Sequence, residues 1–504
     1  MAGIAVVMAL IALDQTVVGT ALPQMVSDLQ GFGWYPWVAA AYLLSNAILI
    51  PVTGRLGDLY GRKPFLLAAI TLFTLASALC GMASNMWLLV LARGLQGIGG
   101  GMLVGSAFAS VSDLFPDTLV RVRWQVMLSA SYGVASALGP VLGGVMTEHL
   151  GWRSVFYVNL PVGMVALPVV WRFLPWVVQH QSAHKTMDWW GVLLLTLAMS
   201  TLLITTEMGQ NLGFTSLSFW TLVALSLLFG SLFVRHQHRS SGPVIPMELF
   251  DSPVVRRLAT LSALTGLTMF VMLFYAPLLL QGGFGLAPKQ AGLLVTPLMV
   301  GITLGSIING RLISRLAHPE RLFSHGALLL IVGIGLLCQI NADTPHLTIS
   351  AIFGLCGLSM GFQLPNLTLQ MQSAVGRTHQ GAASALIQTL RSLGSMFGAS
   401  LAGLVVSLSF SRSVAQSLAQ LQLQDAELQR LLNTPQVLIR AADQDALWLL
   451  GHKLGFDSLA LLQQSRLGLA SGIHEALALC VLLALLSFVL GRKLPAFVHR
   501  HPES

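Results

Sequence analysis

The sequence predicts an all-α, polytopic membrane protein. Of 504 residues, 55% are hydrophobic and only 9% charged, where soluble domains carry about a quarter charged. A mean hydropathy of +0.75 points to hydrocarbon, the one medium in which so much apolar surface needs no burial. The apolar residues also come in runs. A window of roughly 19 residues finds segments near 3–22, 35–54, 65–83, 86–112, 125–146, 154–174, 190–207, 216–234, 257–280, 290–310, 322–340, 348–371, 381–408 and 473–491, fourteen in all. The first run has no basic stretch before it and is followed at once by a second, so it reads as a span and not as a cleaved leader. An ordinary soluble enzyme is excluded.

The charges orient the spans. With both termini cytoplasmic, eighteen of the 27 bases fall in the inside loops and tail, from Arg55, Arg62 and Lys63 to Arg492, Lys493 and Arg500. Short outside loops hold only Arg153 and Lys289, the asymmetry of the positive-inside rule. The bases form no Lys/Arg run of the kind a nucleic-acid backbone attracts, so the pI near 9.7 reflects topology and nucleic acid is not an expected partner. Cys80, Cys338, Cys356 and Cys480 share no CxxC or Cys/His spacing, so neither a disulfide framework nor a metal site is expected. Residues 409–472 are rich in Leu and Gln. The spacing of Leu421, Leu428, Leu431 and Leu432 predicts an amphipathic helix or two capping the outer face.

An internal repeat organises the chain. Gly54-Arg-Leu-Gly-Asp-Leu-Tyr-Gly-Arg-Lys-Pro64 follows span 2, and Gly310-Arg-Leu-Ile-Ser-Arg315 follows span 10. If spans 7 and 8 are an inserted pair, the two loops fall at equivalent places in a 6 + 2 + 6 arrangement. The domains are then a six-helix bundle over 1–174, linkers and the inserted pair over 175–254, a second bundle over 255–495 containing the outer segment, and a tail over 496–504.

At these motifs the sequence resembles the major facilitator superfamily, specifically its fourteen-span drug:proton antiporter branch. Gly54, Asp58, Gly61, Arg62 and Lys63 fit its cytoplasmic signature. Leu91-Ala-Arg-Gly-Leu-Gln-Gly-Ile-Gly-Gly-Gly101 resembles the arginine motif of span 4. The run 133–144, with Gly133, Gly139, Pro140, Gly143 and Gly144, resembles the span 5 motif that marks exporters. Leu13-Asp-Gln-Thr-Val-Val-Gly-Thr-Ala-Leu-Pro23 is similar to the span 1 signature, and Gly151-Trp-Arg with Asn159-Leu-Pro161 adds to it. The loop at 310–315 departs from the pattern in lacking the aspartate. The resemblance implies a major facilitator fold, a bacterial inner-membrane location, a monomer, a small-molecule substrate and exchange with protons. It admits a periplasmic adaptor and outer-membrane channel as partners.

The residues suggest how such a carrier works. A carboxylate at mid-span costs roughly 2.5–3.5 kcal/mol on insertion scales, so one retained there has a partner and a task. Asp14 lies about 16 Å into its span and Arg93 about 10 Å into span 4 from the outer side, depths that agree within a side-chain length. They are expected to pair and to act as the proton-coupling group, with Gln15 and Gln96 as neighbours. Further candidates for the substrate cavity are Phe270, Phe274, Gln363, Asn366 and Arg391. Asp58, Arg62 and Asp113 are expected to latch the halves at the cytoplasmic surface. Four-residue glycine spacing at Gly97, Gly101 and Gly105, at Gly139 and Gly143, and at Gly394 and Gly398 predicts close helix contacts, with span 5 pliable at Pro140.

No GxxxxGK[ST] loop exists to cradle phosphates, and Gly357-Leu-Ser-Met-Gly361 matches GxSxG only inside an apolar helix, so no enzymatic activity and no cofactor are expected. A proton gradient is the expected energy source. The leading function is export of lipophilic, often cationic compounds; export of one metabolite such as an amino acid, siderophore or organic acid is the second, and a transport-dead sensor or scaffold the third.

Overall fold

A helix covers each of the fourteen apolar segments in the computed structural model, which describes residues 2–114, 118–176, 187–212, 216–240, 242–245, 247–313, 315–316, 318–375, 380–421, 425–432 and 435–495. In chain order the helices are α1 (Ala2–Leu29), α2 (Tyr35–Tyr60), α3 (Arg62–Met82), α4 (Met86–Leu114), α5 (Thr118–Leu150), a single turn α6 (Ser154–Tyr157), α7 (Asn159–Phe173), α8 (Trp189–Leu212), α9 (Leu217–Gln237), α10 (Pro253–Leu278), α11 (Pro288–Ile313), α12 (Arg321–Leu337), α13 (His346–Ala374), α14 (Gln380–Gln420), α15 (Ala426–Leu432), α16 (Ala441–Leu454) and α17 (Ser458–Gly491). Among the described residues eleven helical stretches are long and apolar enough to cross a membrane, and two shorter apolar ones lie over Trp189–Thr205 and Arg321–Leu337. Exposed tryptophans ring the molecule at both helix ends, Trp34, Trp87 and Trp220 at one and Trp171, Trp176, Trp189 and Trp190 at the other, where amphipathic rings favour the two interfaces of a bilayer.

Helix pairing repeats along the chain. In the first half α1 packs on α5, α2 on α4, α3 on α4 and α7; in the second α10 packs on α14, α11 on α13, α12 on α13 and α17. Small residues sit at equivalent seams because they let backbones approach. A side chain at Gly101 would strike the Asn46 carbonyl of α2, and one at Gly305 the Leu358 carbonyl of α13. Two further seams, α2 with α14 and α5 with α11, join the halves, while α8 and α9 pack on each other and α8 leans on α2 and α14. The end carrying Arg62, Lys63, Arg172, Arg235, Arg256 and Arg311 is called the basic end below, and the opposite one the far end. At the basic end α2 stops and α3 starts on Gly61, whose φ of 85° is left-handed backbone that an L side chain rarely adopts.

Residues 409–472 are only in part the separate helices expected. Both flanking spans continue as helix past the apolar run, α14 to Gln420 and α17 from Ser458. No Gly or Pro falls between Gly403 and Pro435 to stop α14, and Asp457 caps α17 by accepting from the amides of Leu459 at 2.9 Å and Ala460 at 3.2 Å. Only α15 and α16 form a separate cap. Leu428 and Leu432 are buried as the spacing predicts, whereas Leu421 is exposed.

The α8–α9 pair is clamped at its basic end by Asp188. Its Oδ1 accepts from the Gly191 amide at 2.8 Å and pairs with His236 Nε2 at 2.7 Å, while Oδ2 accepts from Gln237 Nε2 at 2.9 Å. Gln237 Oε1 in turn accepts from the amides of Val244 and Ile245 in the linker to α10. Desolvation pushes the Asp188 carboxyl up, but the Gly191 amide, His236 and Ser240 outweigh it and hold it below the usual carboxylate range. With the folded pKa depressed, this stabilisation is fully present above the ordinary value of about 3.9 and is lost as pH falls through the folded value. Asp188→Ala is therefore expected to cost about 1 kcal/mol, as loss of a helix cap does. The drop in melting temperature of the purified protein should shrink as the pH is taken from 6 down through the carboxylate range.

Candidate functional site

Four helices converge on one carboxylate. The close seam between α2 and α4, at Gly97, Gly101 and Gly105 against the carbonyls of Tyr42, Asn46 and Ile50, holds α4 so that Arg93 and Gln96, three residues apart on one face, point at α1. There Arg93 Nη1 donates to Asp14 Oδ2 at 2.8 Å and to Gln96 Oε1 at 2.7 Å. Asp14 Oδ1 accepts from Gln96 Nε2 and from Asn159 Nδ2, the first residue of α7, both at 2.8 Å. Ser77 of α3 closes the ring, its Oγ accepting from Gln96 at 3.1 Å and Asn159 at 2.9 Å and donating to the Phe156 carbonyl at 2.9 Å. Beneath the guanidinium lies the Tyr42 ring, 4.3 Å away, a cation–π contact. Asp14 is 0% and Arg93 1% exposed. Taking two charges out of water costs several kcal/mol each, and only full hydrogen bonding and mutual attraction make such a pair tenable.

A second polar set faces the gap between the halves, one residue along α1. Gln15 Oε1 accepts from the hydroxyl of Tyr132 on α5 at 2.8 Å and lies beside Tyr42. Across the gap Arg391 of α14 donates to Gln388 and has the Tyr132 hydroxyl as its electrostatic neighbour. Gln15, Tyr132, Gln388 and Arg391 are all half-buried. Toward the far end this space is closed. Tyr35 donates to the Phe274 carbonyl at 2.8 Å, Gln281 donates to the Thr20 carbonyl at 2.9 Å, and Phe270 and Phe274 stack with centroids 4.3 Å apart where α10 crosses α1.

Two candidates for the cavity lie elsewhere. Gln363 and Asn366 are buried inside the second half, Asn366 donating to Asn309 of α11 at 2.8 Å and Gln363 packing against Gly326 of α12. Gln96 likewise belongs to the buried ring and not to the gap. Sequence reasoning missed Ser77, Tyr42 and Tyr132 and took Asn159 only as part of a motif. Of the latch residues, Arg62 is buried, donates to the Gly54 carbonyl at 3.4 Å and packs under Gly57, and Lys63 is half-buried beside it. The side chains of Asp58 and Asp113, in α2 and α4, fall outside the described residues. The glycines of α5 serve two neighbours. Gly139 and Gly143 face Thr16, Val17 and Thr20 of α1; Gly133 and Gly144 face Thr303 and Pro288 of α11, and Gly292 of α11 faces the Pro140 carbonyl.

Comparison with known proteins agrees with this architecture. The sequence matches the Major Facilitator Superfamily over residues 4–399. It is 33% identical over 405 residues to the multidrug transporter protein MdtP of Bacillus subtilis (strain 168), covering 80% of this chain and 74% of that protein. It is 30% identical over 395 residues to Multidrug resistance protein 3 of the same organism, covering 78% and 76%. Among solved structures, a bacterial homologue of the human lysosomal transporter Spinster, inward-facing and occupied, superposes with a TM-score of 0.67 at 14% identity over 97% of this chain and 96% of that one, a likeness of fold alone. With the family matched across most of the chain and its relatives carrying drug-efflux names, the protein is a multi-pass membrane transporter, not an enzyme, and belongs to the Major Facilitator Superfamily.

Proposed function

We propose that this transporter is a proton-coupled exporter of lipophilic, drug-like compounds working by alternating access in the bacterial inner membrane. In this reading all fourteen apolar segments span, as two six-helix bundles around the inserted α8–α9 pair, with both termini on the basic, cytoplasmic side. The recurring helix pairing supports the two bundles, and the multidrug names of the relatives support the cargo. The observation that carries the coupling is the Asp14 ring, an ionisable group at mid-depth one residue from the polar gap.

The chemistry of that ring follows from its bonds. Asp14 accepts from three donors and offers none, so a proton on either oxygen removes the charge those donors bond to and weakens the hold on Arg93 most, since its bond is charge-assisted on both sides. Protonation thus frees Arg93, and freeing Arg93 loosens its hold on Tyr42, which neighbours Gln15 and through it Tyr132. Because Asp14 is wholly buried here, it exchanges its proton only after the ring opens. This ties proton transfer to helix movement, which a coupled carrier requires.

Inside-out vesicles carrying the protein, given an imposed pH gradient and a panel of lipophilic cations, neutral compounds, acids and amino acids, test the proposal. Uphill accumulation of lipophilic members that an uncoupler abolishes is the expected result. Accumulation indifferent to the gradient refutes the coupling, and accumulation of one hydrophilic metabolite alone refutes the drug-like cargo.

A further inference from the structure

Arg391 is the charge this mechanism leaves over. It lies eleven residues into α14, roughly 16 Å along the helix and so near the middle of a hydrocarbon layer of about 30 Å. A guanidinium does not give up its proton in a protein, and at this depth it needs a counter-charge or an aqueous cavity. The one acid at comparable depth among the described residues, Asp14, is already neutralised by Arg93. No described carboxylate pairs with Arg391. Its Nη2 reaches Gln388, whereas Nε and Nη1 have no hydrogen-bond partner among the described residues. Unlike Arg93, it is only half-buried, and its electrostatic neighbour is the Tyr132 hydroxyl, which donates to Gln15. Among the described residues Arg391 is therefore one positive charge without a counter-charge, with an unused edge of its guanidinium fork.

We propose that a carboxylate of the exported compound supplies the missing partner. Arg391 binds it through that edge, the two-point match of guanidinium and carboxylate being the strong form of this interaction. Gln388, Tyr132 and Gln15 offer hydrogen-bonding neighbours. The apolar body of the cargo extends toward Phe270 and Phe274, one and two turns along α10 from Gly266, which backs on the Arg391 carbonyl. The inference rests on the exporter reading and narrows its cargo to acidic amphiphiles, since a lipophilic cation entering the same gap meets Arg391 and no free described carboxylate.

The test uses the purified full-length protein in liposomes with an imposed pH gradient, and three probes: dansyl-leucine, its methyl ester and tetraphenylphosphonium. The wild type is expected to take up the acid roughly tenfold better than the ester, the worth of a charge-assisted hydrogen bond. Arg391→Gln is expected to erase that preference, bringing uptake of the acid down to that of the ester. A wild type without preference for the acid, or an Arg391→Gln protein that keeps it, overturns the inference while leaving export intact. No uptake of any probe by the wild type overturns the exporter reading itself. Should Arg391→Gln fail to assemble, Arg391→Lys decides: retained preference for the acid supports the site, whereas equal loss for acid and ester marks a structural role and overturns it.

Discussion

Asp14→Asn is expected to abolish uphill, pH-driven transport while leaving downhill exchange of substrate across the same protein. The substitution keeps the shape of the side chain but puts an NH2 where an oxygen accepts from Arg93, Gln96 or Asn159. A donor then faces a donor, and the guanidinium stays buried with Gln96, the Val38 carbonyl and the Tyr42 and Phe156 rings to hold it. Breaking one partner out of a buried pair costs about 3–5 kcal/mol, so a fall in thermal stability accompanies the loss of coupling and has to be separated from it. The double variant Asp14→Asn/Arg93→Gln does so. Its ring holds no charge, so most of the lost stability is expected to return, measured as melting temperature in detergent. Uphill transport is expected to stay at the protein-free background. If the double variant pumps against a gradient, Asp14 and Arg93 are a packing device and the proton is carried elsewhere.

Asp14 and Arg93 were legible in the sequence because a charge in an apolar run is costly and rare, and a rise of 1.5 Å per residue converts position into depth. Ser77 and Asn159 were not. An uncharged polar residue in a transmembrane helix carries a small insertion cost, so nothing in the sequence separates one that completes a ring from one that bonds its own backbone, as Thr16 does with the Ala12 carbonyl at 2.9 Å. Gln363 and Asn366 show the same difficulty. Their helix, α13, is apolar on every side, and polarity alone does not say whether a residue faces the gap or the interior of its own half. The close seam of α4 was legible through glycine, since spacing by four at Gly97, Gly101 and Gly105 marks a face that a neighbouring backbone must approach. Its partner helix was not, because any backbone meets that requirement. The ends of α14 and α17 were misjudged for a related reason. Hydropathy reports where a span leaves the hydrocarbon, whereas a helix ends where caps, glycine or proline end it.

Gly144→Leu is expected to lock the transporter open at its far end. A Cβ at Gly144 would lie 2.6 Å from the Pro288 carbonyl oxygen and 3.0 Å from the Lys289 Cα, and both are backbone atoms that no rotamer change moves. The seam has little slack to absorb them. One turn on from Pro288, α11 presses Gly292 against the Pro140 carbonyl, one turn back from Gly144 on α5, and beyond Gly144 the Lys289 amide donates to Glu148 at 3.2 Å. Overpacking of this kind costs about 1–3 kcal/mol, and since 1.4 kcal/mol is a factor of ten in a two-state equilibrium, the population shifts by about fivefold to a hundredfold toward conformations in which α5 and α11 part. A cysteine placed at Thr20, buried here under Gln281, in a background lacking the four native cysteines, reports the change. Its labelling by a membrane-impermeant maleimide from the far side is expected to rise by that factor while transport falls in proportion. Gly335→Leu is the control, because a side chain there meets nothing within 4 Å, and neither labelling nor transport should change. Full transport by Gly144→Leu, or a Thr20→Cys site still protected in it, would show that the far end need not close and reopen during the cycle, and alternating access at the α5–α11 seam would have to be abandoned.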